Sequence, residues 1–228
     1  MTEAPTDTLA IAPLEEREST EQRVAAALRD LIVMGQIREG TPLVHRELAA
    51  RLGVSPTPVR ASLGRLEREG FVEVSPTGRA FVSRLTREDF EEIYATRLGL
   101  EGLAARLGAR RVDDDGLREM RRMLATLRDL AARQDVDGYL VLRWEFHATC
   151  YRASGRARLV DEVERLYRRS ERYNRLVLAS PERFRESVDR YHGFLATCEA
   201  HDGEAAEQVI HQAMRWAMDR LEPTLPSE

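Results

Sequence analysis

The chain has 228 residues, enough for one large or two ordinary domains, with 43% hydrophobic residues to build a core and 32% charged ones to keep it in solution. A net charge of −4 excludes a protein that coats nucleic acid over its whole surface, and all 35 basic residues are arginine. Cys150 and Cys198 are far apart with no CxxC pair, no apolar run reaches membrane-span length, and the N-terminus lacks a secretory pattern; the expectation is a cytoplasmic protein without a disulfide framework or a membrane partner.

Residues 1–18, with five acids and little periodicity, read as a flexible tail. Ser19 or Thr20 can cap a first helix whose apolar stripe is Val24, Leu28, Leu31 and Ile32, ending near Gly35. Residues 45–70, HRELAARLGVSPTPVRASLGRLEREG, read as two short helices and a tight turn. Leu48, Ala49 and Leu52 share one side of the first, and Gly53 supplies its left-handed end. Ser55 offers an N-cap hydroxyl, and Pro56 takes the first helical position, where its missing N–H costs nothing. Val59, Leu63 and Leu66 form the buried stripe of the second helix, leaving Ser55, Thr57, Arg60 and Ser62 near its exposed N-terminal end. That is the geometry of a helix entering a DNA major groove, although an ordinary helical hairpin has the same outline. The following residues separate the two. Phe71–Val74 and Arg79–Val82 are β-branched and aromatic, and Ser75-Pro76-Thr77-Gly78 is a turn, so a β-hairpin with a basic tip at Arg79 follows the second helix as a wing.

This module is mildly basic: residues 19–85 hold ten Arg against seven acids, whereas residues 86–228 hold 24 Arg against 27 acids. Beyond it every periodic segment is helical. Thr86 with Asp89 approximates a capping box, and helices are expected over 87–110, 114–134, 138–153, 157–178, 182–200 and 203–221. Breaks at Asp113–Gly116, Asp137-Gly138, Ser154-Gly155, Ser180-Pro181 and Asp202-Gly203 leave short connections, hence an antiparallel bundle of about six helices. The chain is therefore mainly α: tail 1–18, a winged helix-turn-helix over 19–85, a helical domain over 86–222 and a tail over 223–228.

The run Gly35-Gln36-Ile37-Arg38-Glu39-Gly40, followed by HRELAARLGVSPTPVRASLGRLEREGFVEV, resembles the winged-helix domain of GntR-family bacterial transcription regulators. The resemblance implies operator contacts from Arg46, Ser55, Thr57 and Arg60 on the helices and from Gly78 and Arg79 on the wing. Many members carry arginine where this chain has Pro56, so one contact is missing and a different half-site preference is implied. Trp144-Glu145-Phe146-His147 with Ala153-Ser154-Gly155, Arg97 with Glu101, and the stretch 200–206 resemble the FCD subgroup, which includes FadR. That subgroup implies a homodimer, a pseudo-palindromic double-stranded operator and a helical domain that binds a small effector; most such proteins are repressors.

Function in the bundle must reside where polar side chains interrupt apolar stripes. Arg97 and Glu101 fall on the face of Phe90, Ile93, Tyr94, Leu100 and Ala104; four residues apart, they read equally as an internal ion pair and as an effector-binding arginine with its partner. Arg143 and His147 share the inward side of Tyr139, Phe146 and Cys150. His192 borders the stripe of Phe184, Val188, Tyr191, Leu195 and Cys198. Many FCD domains hold a metal on one aspartate and three histidines; matching the motifs puts Arg143, His147, Tyr191 and Ala213 in those slots. A site with one imidazole and a guanidinium suits no dication, so no metal or other cofactor is expected. The expected ligand is instead a small organic anion held by Arg97 and Arg143, with His147, Tyr191 and His192 beside them. Alternatives are a rebuilt metal site from His147, Cys150 and Cys198, a bundle that only dimerises, and an enzyme with His147 as general base; the last lacks a nucleophile with a partner or paired inward carboxylates.

Overall fold

Ser19 starts the first helix with a reciprocal cap: its hydroxyl accepts from Gln22 N–H (3.2 Å), and the Gln22 side chain accepts from Ser19 N–H (2.7 Å). The computed structural model describes residues 19–178 and 181–226, so the tail expected over 1–18 and the break at Ser180 lie outside the described residues. Helix α1 (Thr20–Val33) packs along α3 (Pro56–Arg68), with α2 (His45–Leu52) completing the trihelical layer. Gly53 ends α2 at φ 65°, ψ 33°, the left-handed conformation that a side chain resists. Strands β1 (Val72–Val74) and β2 (Ala80–Val82) pair antiparallel with Val72 opposite Val82 and Val74 opposite Ala80. Each strand of the hairpin starts one residue later than its composition suggests. Phe71 points into the core of this layer, and Arg79 belongs to the turn, where its carbonyl accepts from Ser75 N–H.

This module has its own apolar core, including Val24, Leu28, Ile32, Ala49, Val59, Leu63, Leu66, Phe71 and Val82. A second core fills the bundle of α4 (Arg87–Ala109), α5 (Asp114–Ala132), α6 (Val136–Ala153), α7 (Ala157–Val177), α8 (Pro181–Glu199) and α9 (Gly203–Leu221). Aspartates start three of them: Asp113, Asp135 and Asp202 accept from the N–H groups of Gly116, Gly138 and Ala205. Helix α4 runs through the centre against α6, α7 and α9, while α5 packs on α6 and α8. Gly108 permits the α4–α6 crossing, because a Cβ there would stand 2.0 Å from the Cys150 carbonyl oxygen.

Two local expectations change. Thr86 makes half of a capping box: its hydroxyl accepts from Asp89 N–H, but the Asp89 carboxylate is occupied by Tyr173 and Arg169. The C-terminal tail begins later than residue 223. Glu222–Thr224 form a 3-10 turn, Leu225 is buried against the bundle, and the Pro226 carbonyl accepts from Arg87 N–H. The cause is apolar: Leu221 and Leu225 flank the turn and both reach the core.

Candidate functional site

Two regions concentrate the polar chemistry. The first is the exposed edge formed by α2, α3 and the wing. Arg46, Ser55, Thr57, Arg60, Gly78 and Arg79 are all exposed. Among the described residues, Arg46, Arg60 and Arg79 have no carboxylate partner, whereas Arg29 and Arg65 share Glu69 behind them. Three uncompensated guanidinium groups on one module suit a polyanion. Gly78 holds the wing turn at φ 78°, its N–H bonded to the Ser75 carbonyl. Ser55 occupies the N-cap of α3 but makes no cap bond. Every side-chain cap among the described helices goes to the amide three residues on, and here that residue is Pro58, which has no N–H. The Ser55 hydroxyl is thereby left uncommitted. Ser62 does not belong to this edge: it is fully buried, its hydroxyl within bonding distance of the Pro58 and Glu21 carbonyls (2.6 and 2.9 Å).

The second region is a cavity of about 30 Å³ inside the bundle. Helix α4 contributes Tyr94, Arg97 and Glu101, α6 Arg143 and His147, α7 Asn174, α8 Ser187, Arg190 and Tyr191, and α9 Ile210, Ala213, Met214 and Trp216. Three-to-four residue spacings put each set on one helix face. The four positions matched to the family's metal slots, Arg143, His147, Tyr191 and Ala213, therefore meet around one space.

Arg97 is fully buried and bonded. Its Nε donates to Glu101 Oε1 (2.7 Å), its Nη1 donates to Ser170 Oγ (2.9 Å), and its guanidinium lies 4.9 Å from the Tyr94 ring centre. Burial opposes its charge, but Glu101 outweighs this and raises its pKa. The other Glu101 oxygen accepts from Tyr151 OH (2.9 Å). Glu101 thus serves Arg97 and not Arg143. Arg143 has no carboxylate partner among the described residues; its guanidinium faces the Tyr167 ring at 5.5 Å, and its Nε is buried without a hydrogen-bond partner. His147 Nδ1 is likewise buried and unpartnered. Burial, then Arg143 and Arg97, push the His147 pKa well below its usual value, so the imidazole is neutral at pH 7. A charged donor and a neutral imidazole with open valences mark a place for a hydrogen-bonding ligand.

His192 lies outside this cavity, on the flank of α8 against Arg128. One residue along a helix is a rotation of about 100°, which separates it from Tyr191. The rebuilt His/Cys metal site does not assemble. Cys150 and Cys198 are buried 3.7 Å apart, Cys150 faces the Ala105 carbonyl, and neither lines the cavity. Among the described residues no group of three His, Cys, Asp or Glu side chains is placed to hold a metal ion. The family's metal set does not fit these residues either: one imidazole remains, and the guanidinium beside it repels a dication. Sequence reasoning missed Ser170, Asn174, Arg190 and Trp216. The available signal was in α7, where Ser170 and Asn174 interrupt the buried row of Val163, Tyr167 and Val177 at helical spacing. Arg190 lies over the Trp216 ring at 4.8 Å, and Trp216 donates to Glu186 (2.9 Å).

Comparison with known proteins covers both regions. Residues 20–82 match the family model "Bacterial regulatory proteins, gntR family", and residues 92–215 match the FCD domain. The chain is 27% identical over 190 residues to the HTH-type transcriptional regulator McbR of Escherichia coli K12, spanning 82% of this chain and 86% of McbR. The solved structure of E. coli McbR superposes with a TM-score of 0.78 at 25% identity, covering 90% of this chain and 98% of that one. The gluconate operon transcriptional repressor of Bacillus licheniformis is 34% identical over 138 residues, 60% of this chain and 56% of the repressor.

Proposed function

This chain belongs to the GntR family and carries an FCD effector-binding domain, which makes it a DNA-binding transcription regulator and not an enzyme, and we propose that its effector is a small organic anion held directly by arginine. The observation that carries this reading is Arg143: a guanidinium facing the cavity, its Nε buried without a partner, that no carboxylate among the described residues neutralises. A carboxylate entering beside it gains charge-assisted bonds, and His147 supplies a neutral second contact. Arg97 is already satisfied by Glu101 and Ser170, so it orients the site and adds field more than it adds a free donor. The likeness to a repressor of a gluconate operon is in keeping with an organic acid and with repression.

The operator face is assigned to Arg46, Ser55, Thr57, Arg60, Gly78 and Arg79 in a homodimer that reads two matching half-sites in the cytoplasm. The test is a thermal-shift panel of small carboxylic acids beside their neutral amides and alcohols, run on the native protein and on Arg143→Met. Acids should raise Tm and the neutral analogues should not, since a ligand bound only to the folded state stabilises it by mass action. Arg143→Met should lose the response. Stabilisation by neutral compounds alone would remove the anion from the proposal.

A further inference from the structure

One short stretch of α7, Arg169–Asn174, faces two ways. Toward the cavity, Ser170 Oγ accepts from Arg97 (2.9 Å) and from the Asn174 amide (3.2 Å) and donates to the Tyr167 carbonyl (2.7 Å). Asn174 in turn accepts from Tyr94 OH (3.0 Å). Tyr94, Arg97 and Asn174 all line the cavity. Toward the DNA-binding module, Arg172 donates to Ser83 Oγ (2.9 Å) and to the Ser83 carbonyl (2.8 Å). Ser83 is itself part of that module: its N–H donates to the Phe71 carbonyl and its hydroxyl to the Gly70 carbonyl. Between the two, Tyr173 OH accepts from Thr86 N–H (3.2 Å), and Arg169 pairs with Asp89.

Arg172 is the unusual member. It is only 9% exposed, it has no carboxylate within bonding distance among the described residues, and burial holds its pKa below the ordinary arginine value. Its two hydrogen-bond partners are neutral groups of a single residue at the edge of the other module. A desolvated cation retained for two neutral acceptors is a costly arrangement whose evident return is a fixed direction, because a guanidinium fork accepts little angular error.

We infer that Arg172 is a positioning residue that clasps the DNA-binding module in one orientation, and that Ser170 on the opposite side of the same stretch links this clasp to the cavity. The coupling rests on the reading of the cavity as the effector site. An anion held at Arg143 also attracts the neighbouring Arg97 guanidinium through its field and so competes with the Arg97–Ser170 bond. The stretch loses a fixed point on its cavity side, and Arg172, two residues further on, shifts with it. The differential contact at Arg97 then biases the orientation of a module outside the cavity.

A cycle without any effector tests this on the full chain, using an operator fragment obtained by in vitro selection. Ser170→Ala and Arg172→Met are each expected to weaken operator binding roughly tenfold while leaving binding to random duplex within about twofold, since orientation matters only where paired half-sites must be met together. Both should also speed tryptic cleavage after the exposed Arg84. The double variant should be no weaker than the weaker single, as expected for residues acting through one connection. Ser83→Ala, made from the other side of the clasp, removes the hydroxyl bond and keeps the carbonyl bond, so it should weaken operator binding in the same direction as Arg172→Met but by less, which guards against a folding defect in either α7 variant. Losses that multiply in the double variant, or unchanged operator binding with Arg172→Met, would overturn the inference. Absence of acid binding would instead count against the effector reading, and it would leave the effector-free cycle intact.

Discussion

Arg60 and Arg79 illustrate two kinds of contact that a single guanidinium can make. Both are exposed and, among the described residues, have no carboxylate partner. Arg60 stands one turn into α3, and Arg60→Ala should cost operator affinity about 1–3 kcal/mol if it reads a base edge. Gel-shift titration at fixed salt measures this, and full affinity on a verified operator would exclude the role. Arg79 leaves the wing tip. Its loss should weaken operator and random DNA alike and reduce the salt slope by about one. A different residue, Glu171, contributes a pH dependence of its own. Burial raises its pKa to about 7, Arg168 and Arg175 oppose the rise, and Asp30 adds to it. A carboxyl whose folded pKa exceeds its unfolded value stabilises at low pH, and that contribution is lost as pH climbs through about 7. Glu171→Gln should therefore match the native protein near pH 5 and exceed it above pH 7 by on the order of 2 kcal/mol. Denaturant titration at the two pH values shows whether the curves diverge in that direction. Arg143 and His147 were legible because they sit one turn apart on a face that is otherwise apolar. Arg190 was not, since only the tertiary contact of its guanidinium with the Trp216 ring places it at the cavity.

Helices of the bundle were legible to within two residues because their starts are chemically marked. Asp113, Asp135 and Asp202 each cap an amide that no helical carbonyl can reach, and each is followed within three residues by a glycine. Ser62 was misjudged for the opposite reason. Sequence places it near Arg60, and nothing local reveals that α1 covers it and offers the Glu21 carbonyl. Residues 223–226 look like a tail because two apolar residues around a proline have no period to read, yet Leu225 finds the bundle. The crossing of α4 and α6 was also invisible, since it depends on Gly108 meeting the Cys150 backbone. Gly108→Ala should be more damaging than any surface change in the bundle. Its methyl carbon meets a carbonyl oxygen and not a movable side chain, so two helices must separate, at a cost of about 1–3 kcal/mol or more. Calorimetry should show Tm lowered by several degrees, and an unchanged Tm would mean that α4 slides freely on α6.

At the scale of the molecule, two apolar cores are joined through residues 83–89, and polar bonds from α7 hold that connection. The bipartite plan was legible in the switch from β-hairpin to unbroken helical periodicity, whereas the bonds across it involve residues some 80 to 90 positions apart and leave no local trace. The cavity also has a kinetic consequence. Its 30 Å³ accommodates about two or three water molecules and no acid of ordinary metabolite size. Its walls come from five helices, so a guest larger than this space requires them to part. Association then has a ceiling set by the protein. In stopped flow, the observed rate should rise with acid concentration and level off at the spontaneous opening rate, and the apparent affinity should be diluted by the fraction of molecules open at any moment. Substitutions that loosen the α8–α9 wall, such as Trp216→Ala, would raise that plateau while Arg143 keeps the selectivity for acids. On the proposed anion reading, a regulator built this way would answer a lasting change in effector level and ignore a pulse shorter than its own opening time.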